Sequence, residues 1–162
     1  MRAGSAARAA ARVLAIGFVL AVASAPASAA QYLSTSDPAT ILYDAPSDRA
    51  HPLFVYGRGV PVEVLVAVEG WTKVRDASGT IGWIATASLS QKRMVEVRTP
   101  TADVHDRPDD AAPVAFRAAR DVLLALDETA ASPASVAYPG WVRVRDRSGR
   151  AGYVRLARIF GF

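Results

Sequence analysis

The sequence predicts an all-β fold built from two similar units, and two observations carry that prediction. The stretch GWTKVRDASGTIGW (70–83) returns as GWVRVRDRSGRAGY (140–153), displaced by 70 positions without a gap. After residue 30, apolar residues alternate at period two, and no long apolar pattern follows the helical period. Two copies indicate a tandem duplication rather than a solenoid, which needs at least about three stacked repeats.

The first thirty residues have the features of a secretory signal peptide. Three arginines and no acid precede the apolar run 13–22, and Ala27-Ser28-Ala29 offers a cleavage site of small residues. The apolar run ends before Pro26 and is shorter than the roughly 20 residues that a membrane-spanning helix needs. We therefore predict a cleavable signal peptide at 1–30, a periplasmic or secreted protein, and no stable membrane insertion after cleavage.

The charge balance argues against a nucleic-acid partner. The chain has 19 Lys and Arg against 15 Asp and Glu, and the three signal-peptide arginines account for most of that excess. A nearly neutral exported protein is a poor candidate for binding nucleic acid. Because the chain has no cysteine, each small core must be held together by packing alone, without disulfides.

In the first unit, alternation and turn residues predict a series of strands. The run PVEVLVAV (61–68) places Val62, Val64, Val66 and Val68 on one face. A strand at 71–75 follows, and the turn DASG leads to a return strand at 80–85, which together predict a hairpin with Asp76 capping its turn. Gly82 inside the return strand indicates a bulge or a close approach of another backbone.

The second unit repeats this plan, with strands at 121–126, 141–145 and 151–155. The block LYDAPS (42–47) matches VHDRPD (104–109) at an offset of 62, so the second unit has about eight extra residues, which we assign to the Pro/Ala/Ser-rich loop 127–140. We expect helix only as single turns near Thr86 to Leu89 and Leu156 to Ile159. The joining segment has no flexible Gly/Ser run, which predicts two units in fixed contact.

The order G-x-P-V-E-V-L, then G-W-x-K-V-R-D-x-x-G-x-x-G-W-I, then a short turn ending in Leu, is similar to the bacterial SH3-like (SH3b) domains of exported and cell-wall proteins. The resemblance covers residues 35–162 in two copies, the second weaker. It implies half-open, five-stranded β-barrels that bind peptides or cell-wall material, or that dock domains. The predicted fold is therefore two tandem SH3-like small β-barrels after the signal peptide, with domain 1 at 31–93 and domain 2 at 94–162.

Aromatic residues are the first candidates for a binding site. On the strand 71–75, Trp71 shares a face with Lys73, while Val74 lies on the opposite, core-facing side. In SH3-like domains the corresponding Trp borders the ligand groove, and the alternative for this chain is Trp packing at the barrel end. The predicted groove residues are Tyr43, Tyr56, Trp71, Trp83, Trp141 and Tyr153, with Tyr138 nearby on the long loop.

Arginines are the second candidates. Arg143, Arg145 and Arg147 are predicted to line one strand face, and planar guanidinium groups suit carboxylates or phosphates of an anionic partner. The alternative is that they are solvated charges that protect a sheet edge from pairing.

No catalytic, metal or cofactor site is predicted. The absence of cysteine excludes a cysteine nucleophile, and the two histidines, His51 and His105, lack the spacing of clustered metal ligands. His105 is expected to be a solvated loop residue, as are the acid pairs 109–110 and 127–128. The resulting hypothesis is a non-enzymatic binding or docking module of the cell envelope that recognises peptidoglycan peptides or an envelope protein. The alternative is a structural or assembly subunit of an envelope complex without a small ligand.

Overall fold

The computed structural model describes residues 30–127 and 138–162, and these residues form two antiparallel β-sheets. The first sheet contains β1 (Gln31–Thr35), β2 (Thr40–Tyr43), β3 (Pro52–Tyr56), β4 (Pro61–Val68), β5 (Trp71–Arg75), β6 (Ile81–Ala85) and β7 (Leu89–Ser90). The second contains β8 (Met94–Val97), β9 (Thr101–His105), β10 (Val114–Ala119), β11 (Leu123–Leu126), β12 (Trp141–Arg145), β13 (Ala151–Arg155) and β14 (Ile159–Phe160). The all-β prediction is confirmed, and residues 1–29 of the predicted signal peptide lie outside the described residues.

The two sheets have the same strand order. The first is ordered β3-β2-β6-β5-β4-β1-β7, and the second repeats that order seven strands later as β10-β9-β13-β12-β11-β8-β14. Each sheet is open, because β7 pairs only with β1, and β14 pairs only with β8, among the described strands. The expectation of half-open, five-stranded barrels is therefore corrected: each sheet has seven strands, and the short strands after each 3-10 turn extend the sheet instead of joining its ends.

The hairpin turns form as their sequence predicts. The carboxylate Oδ1 of Asp76 accepts hydrogen bonds from the backbone N–H groups of Ser78 and Thr80, both at 2.9 Å. Asp146 makes the same bonds with Ser148 and Arg150, also at 2.9 Å. The following glycine of each turn has φ +91°, a conformation that favours glycine. The single helical turns are also confirmed as 3-10 turns at Thr86–Ser88 and Leu156–Arg158.

Each sheet has a small apolar core on one face. The first is built around Leu42, Val62, Val74 and Ile84, and the second around Val95, Val97, Val104, Leu124, Val144 and Val154. In β4 the alternation does not persist to the end of the strand. A register shift between Val64 and Val66 against β5 interrupts it, and Val66 and Val68 are exposed. The expected four-valine face is therefore buried only at its start.

Gly82 brings β2 against β6, as its position in a strand predicts. A Cβ atom at this residue would lie 2.6 Å from Leu42 Cγ and 2.7 Å from the carbonyl oxygen of Tyr43. Gly152 has the same role in the second sheet, where a Cβ would lie 2.7 Å from the carbonyl oxygen of His105. These close approaches hold the end of β2 beside β6, and the end of β9 beside β13.

The two sheets contact each other through the C-terminal segment. The ring of Phe160 in β14 packs edge-on against the ring of Tyr32 in β1, with centroids 5.3 Å apart. A Cβ atom at Gly161 would lie 2.7 Å from the Cβ of Pro61 and 2.8 Å from the carbonyl oxygen of Met94. Ile159 and Phe160 pair with Val97 and Glu96 of β8. Among the residues described, no helix is long and apolar enough to cross a membrane.

Candidate functional site

Three aromatic side chains lie together on the face of the first sheet opposite its core. Tyr43 on β2 pairs with Trp83 on β6, and Trp83 pairs with Lys73 on β5. The ring of Tyr43 packs edge-on against Trp71, with centroids 5.6 Å apart and an interplanar angle of 86°. The Lys73 Nζ lies 5.7 Å from the centroid of the Trp83 ring. All four side chains are half-buried, and we call this set the aromatic face.

Tyr56, predicted as a groove residue, does not belong to the aromatic face. Its side chain is 5% exposed and packs with the first core, and its hydroxyl donates a 2.8 Å hydrogen bond to Asp76 Oδ2. Burial and this hydrogen bond raise the pKa of Tyr56. The prediction is corrected because Tyr56 lies on the core side of β3, where its hydroxyl supports the β5–β6 turn instead of facing a ligand.

The second sheet places His105, Trp141, Arg143 and Tyr153 at the positions of Tyr43, Trp71, Lys73 and Trp83. The ring of His105 packs edge-on against Trp141, with centroids 5.6 Å apart and an angle of 89°. His105 is buried on β9, and its Nδ1 lies 2.8 Å from the carbonyl oxygen of Ala112. The expectation of a solvated loop histidine is therefore wrong, because Gly152 lets β9 pack its end against β13.

Trp141 is 5% exposed, because an arginine covers it. The guanidinium carbon of Arg155 lies 4.2 Å from the centroid of the Trp141 ring. The same guanidinium donates hydrogen bonds to both carboxylate oxygens of Asp110, one of them at 3.2 Å from Nε. This hydrogen bond lowers the pKa of Asp110 and raises that of Arg155. We call Arg155 with Asp110 the clasp. Tyr153, another predicted groove residue, packs against Tyr138 with centroids 6.0 Å apart.

The three predicted anion-binding arginines do not share one strand face. Arg143 Nη1 lies 3.2 Å from Asp127 Oδ2, and Arg145 Nη2 lies 3.7 Å from the same oxygen. The strand ends at Arg145, so Arg147 lies in the turn, where it lines a cleft of about 530 Å³ between the two sheets with Arg58, Lys92 and Arg145. The prediction of a common strand face is corrected: Asp127 neutralises part of the charge of Arg143 and Arg145, and Arg147 shares the cleft with Arg145 from the turn and not from the strand.

Sequence reasoning missed the clasp. Asp110 and Arg155 are 45 residues apart, and Asp110 was assigned to a solvated acid pair. The repeat did contain a signal for the clasp. At the 70-residue offset Arg155 aligns with Ala85, so the two copies differ at a residue beside their shared Trp. Within the described part of the chain, no group of three or more His, Cys, Asp or Glu side chains is placed to hold a metal ion.

Comparison with solved structures finds several that are weakly similar to this chain. NlpC2 and NlpC1 from Trichomonas vaginalis are 16% and 17% identical over 83% and 89% of this chain, each with a TM-score of 0.36. An NlpC/P60 family protein from Bacillus cereus ATCC 10987 is 15% identical over 80% of the chain, also with a TM-score of 0.36. The chain spans 49%, 50% and 56% of these three proteins, and the likeness is too distant to transfer their activities. No curated protein matches the chain.

Comparison with protein families gives a match in the first half of the chain. The family model described as "Bacterial SH3 domain" matches residues 36–91. This range contains β2 to β7, and with them Tyr43, Trp71, Lys73 and Trp83 of the aromatic face. Residues 36–91 are therefore similar to the bacterial SH3 domain family.

Proposed function

We propose that this protein is a non-catalytic binding module, exported to the cell envelope, whose aromatic face recognises peptidoglycan peptides. The observation that carries the proposal is the set of half-buried rings of Tyr43, Trp71 and Trp83 on the side of the sheet opposite the core. Aromatic side chains with one side packed and the other accessible are typical anchors at recognition surfaces, because they provide contact area at a low cost in conformational entropy.

The family and the repeated topology support a tandem form. Residues 36–91 match the bacterial SH3 domain, a family common in cell-envelope proteins. The second sheet has the same strand order and the same edge-on pair of rings, so we propose that residues 94–162 are a second copy of this domain. The chain has no cysteine, so a cysteine nucleophile is impossible and a binding role is favoured.

A second candidate function is docking to a protein of the envelope, as a structural or assembly subunit. The observation that favours it is β3, the terminal strand of the first sheet, whose Leu53, Phe54 and Val55 are 44%, 56% and 57% exposed. A terminal strand also presents unpaired backbone groups, and exposed apolar residues on such a strand mark a surface that another chain can cover.

Sedimentation with intact peptidoglycan sacculi separates the two candidates. We expect wild-type protein to sediment and Trp71→Ala to lose binding, since anchor truncations cost about 2 kcal/mol or more, or roughly 30-fold in Kd. Val55→Lys is the matched control, because it changes the terminal strand and leaves the aromatic face intact. Binding that survives Trp71→Ala would reject recognition by this face. Absence of sedimentation would reject wall recognition, and capture of an envelope protein that Val55→Lys abolishes would support docking.

A further inference from the structure

The two sheets carry the same pair of rings but differ at the residue beside the tryptophan. Trp71 pairs across the hairpin with Ala85, whereas Trp141 pairs with Arg155. The edge-on partners of the two tryptophans have almost the same geometry, with centroids 5.6 Å apart at 86° and 89°. The two sheets therefore present the same pair of rings, one with a cationic side chain beside the tryptophan and one without.

In the second sheet, Arg155 has the contacts of a bound ligand. Its guanidinium lies 4.2 Å above the Trp141 ring, and the Asp110 carboxylate holds its edge through two hydrogen bonds. An ammonium or guanidinium group is recognised by an aromatic ring below it and by a carboxylate at its edge. The clasp thus fills the position that a cationic ligand would take, and Trp141 is buried beneath it.

In the first sheet, the receptor groups are present without the arginine. Asp48 has the loop position of Asp110, and each of the two loops contains the same pattern of backbone hydrogen bonds. Ser47 N–H donates to the Ala45 carbonyl at 2.8 Å, as Asp109 N–H does to that of Arg107. Asp48 is exposed and makes no ion pair with another described residue.

Lys73, the cation of the aromatic face, does not occupy the position over Trp71. Lys73 Nζ lies over Trp83, not over Trp71, so it does not substitute for the missing guanidinium. Ala85 presents only a methyl group beside Trp71, and Trp71 stays half-buried instead of covered.

We propose that the first sheet binds a peptide through a cationic group of that peptide, a guanidinium or an ammonium, placed over Trp71 and beside Asp48, whereas the second sheet is closed to ligands by its own Arg155. This inference rests on the proposed function, since it names the chemistry of the ligand at the same aromatic face. It also assigns different roles to the two copies: the first is the receptor, and the second is occupied internally.

The test uses nuclear magnetic resonance of the indole N–H signals of Trp71 and Trp141, assigned with Trp→Phe variants. The probes are Nα-acetyl-arginine amide and Nα-acetyl-citrulline amide, which differ in charge and hardly in shape. We expect the arginine probe to shift the Trp71 signal saturably and to leave Trp141 unchanged. The citrulline probe should bind about two- to fivefold more weakly, the magnitude of an exposed cation–π contact.

Two reciprocal substitutions complete the test. Ala85→Arg should close the first sheet and abolish the Trp71 response, and Arg155→Ala should open the second and make Trp141 respond to the arginine probe. Arg155→Gln serves as a second opening variant if Arg155→Ala does not fold. The proposal is overturned if citrulline shifts Trp71 as strongly as arginine does, if Trp71 does not respond, or if Trp141 responds equally in the wild type.

A wall-binding arm distinguishes failure of this inference from failure of the proposed function. Sacculi whose free amines have been acetylated should sediment less protein than untreated sacculi. Equal sedimentation with both, lost in Trp71→Ala, would keep wall recognition and overturn the cationic ligand. No sedimentation with either, together with a Trp71 response specific to the arginine probe, would reject wall recognition and retain a cationic ligand from another source.

Discussion

Glu96 lies in surroundings that oppose its charge. Its strand β8 lies between β11 and β14, and Glu96 pairs with Leu123 on one side and Phe160 on the other. Burial raises the pKa of Glu96, and the nearby carboxylates of Asp121 and Asp76 raise it further. Because the folded-state pKa lies above the ordinary value of 4.5, folding favours the protonated form. The resulting contribution to folding stability is complete below the ordinary pKa and is lost as the pH rises through the raised pKa.

We therefore expect Glu96→Gln to stabilise the protein at pH 7 and to lose that advantage near pH 4. The neutral amide keeps the shape of the protonated acid and removes the cost of ionisation. Urea unfolding at both pH values measures the difference in the free energy of unfolding. Glu69→Gln, at an exposed position after β4, is the control and should change little at either pH. A variant less stable than wild type at pH 7 would contradict this account.

At the scale of elements, the β5–β6 turn depends on one carboxylate. Asp76 Oδ1 accepts bonds from the Ser78 hydroxyl at 2.6 Å and from two backbone N–H groups, while Oδ2 accepts from Tyr56. Burial raises the pKa of Asp76, but these hydrogen bonds outweigh it, and the net pKa is lowered from 3.8. The stabilisation is therefore present above pH 3.8 and is lost as the pH falls through the lowered pKa.

Asp76→Ala should lower the free energy of unfolding at pH 7 by about 1.5–3 kcal/mol, the range for hydrogen bonds to a charged group. The loss should become smaller as the pH falls below 3.8, because the unfolded state then takes up a proton that the hydrogen-bonded carboxylate of the folded state resists. Thermal unfolding followed by circular dichroism at pH 7 and at pH 3 measures both effects. Asp106→Ala, at an exposed loop position, is the control. An equal loss at both pH values would show that charge is not the cause.

The hairpins were predictable because their signals are local. An Asp, a Ser and a Gly at fixed spacing define the turn, and alternation in 71–75 assigns Val74 to the core. The end of β4 was not predictable, since its register shift depends on pairing with β5. The clasp joins a loop to a strand 45 residues away, and Tyr56 is buried by a strand order that the sequence does not state. The clasp and the buried position of Tyr56 could therefore be assigned only from the fold.

At the scale of the whole molecule, Gly161 keeps the two sheets in contact. It has φ +103°, and the space where a Cβ would lie is filled by Pro61 of the first sheet and the Met94 carbonyl of the second. Both the backbone conformation and the lack of space require glycine. The sequence predicted fixed contact between the units from the composition of the joining segment, and the contact also includes Gly161 at the C-terminal end of the described residues.

Gly161→Ala should separate the sheets without unfolding either. We expect wild-type protein to unfold in one cooperative transition in calorimetry, and the variant to unfold in two, because the cores of the two sheets are distinct clusters. Gly57→Ala is the matched control, since a Cβ there meets nothing within 4 Å. A single transition at an unchanged temperature in Gly161→Ala would show that the sheets are not coupled through this residue.

The interior position of β1 determines when the first sheet can form during synthesis. Among the described strands, β1 is the earliest to leave the ribosome, yet it lies between β4 and β7, so it stays incompletely paired until Ser90 has emerged. From that moment every strand of the first sheet is available, while β8 and the strands after it are still inside the ribosome or not yet made. The aromatic face of the first sheet can thus assemble before the Tyr32–Phe160 contact exists, and the nascent chain acquires this face before the clasp of the second sheet.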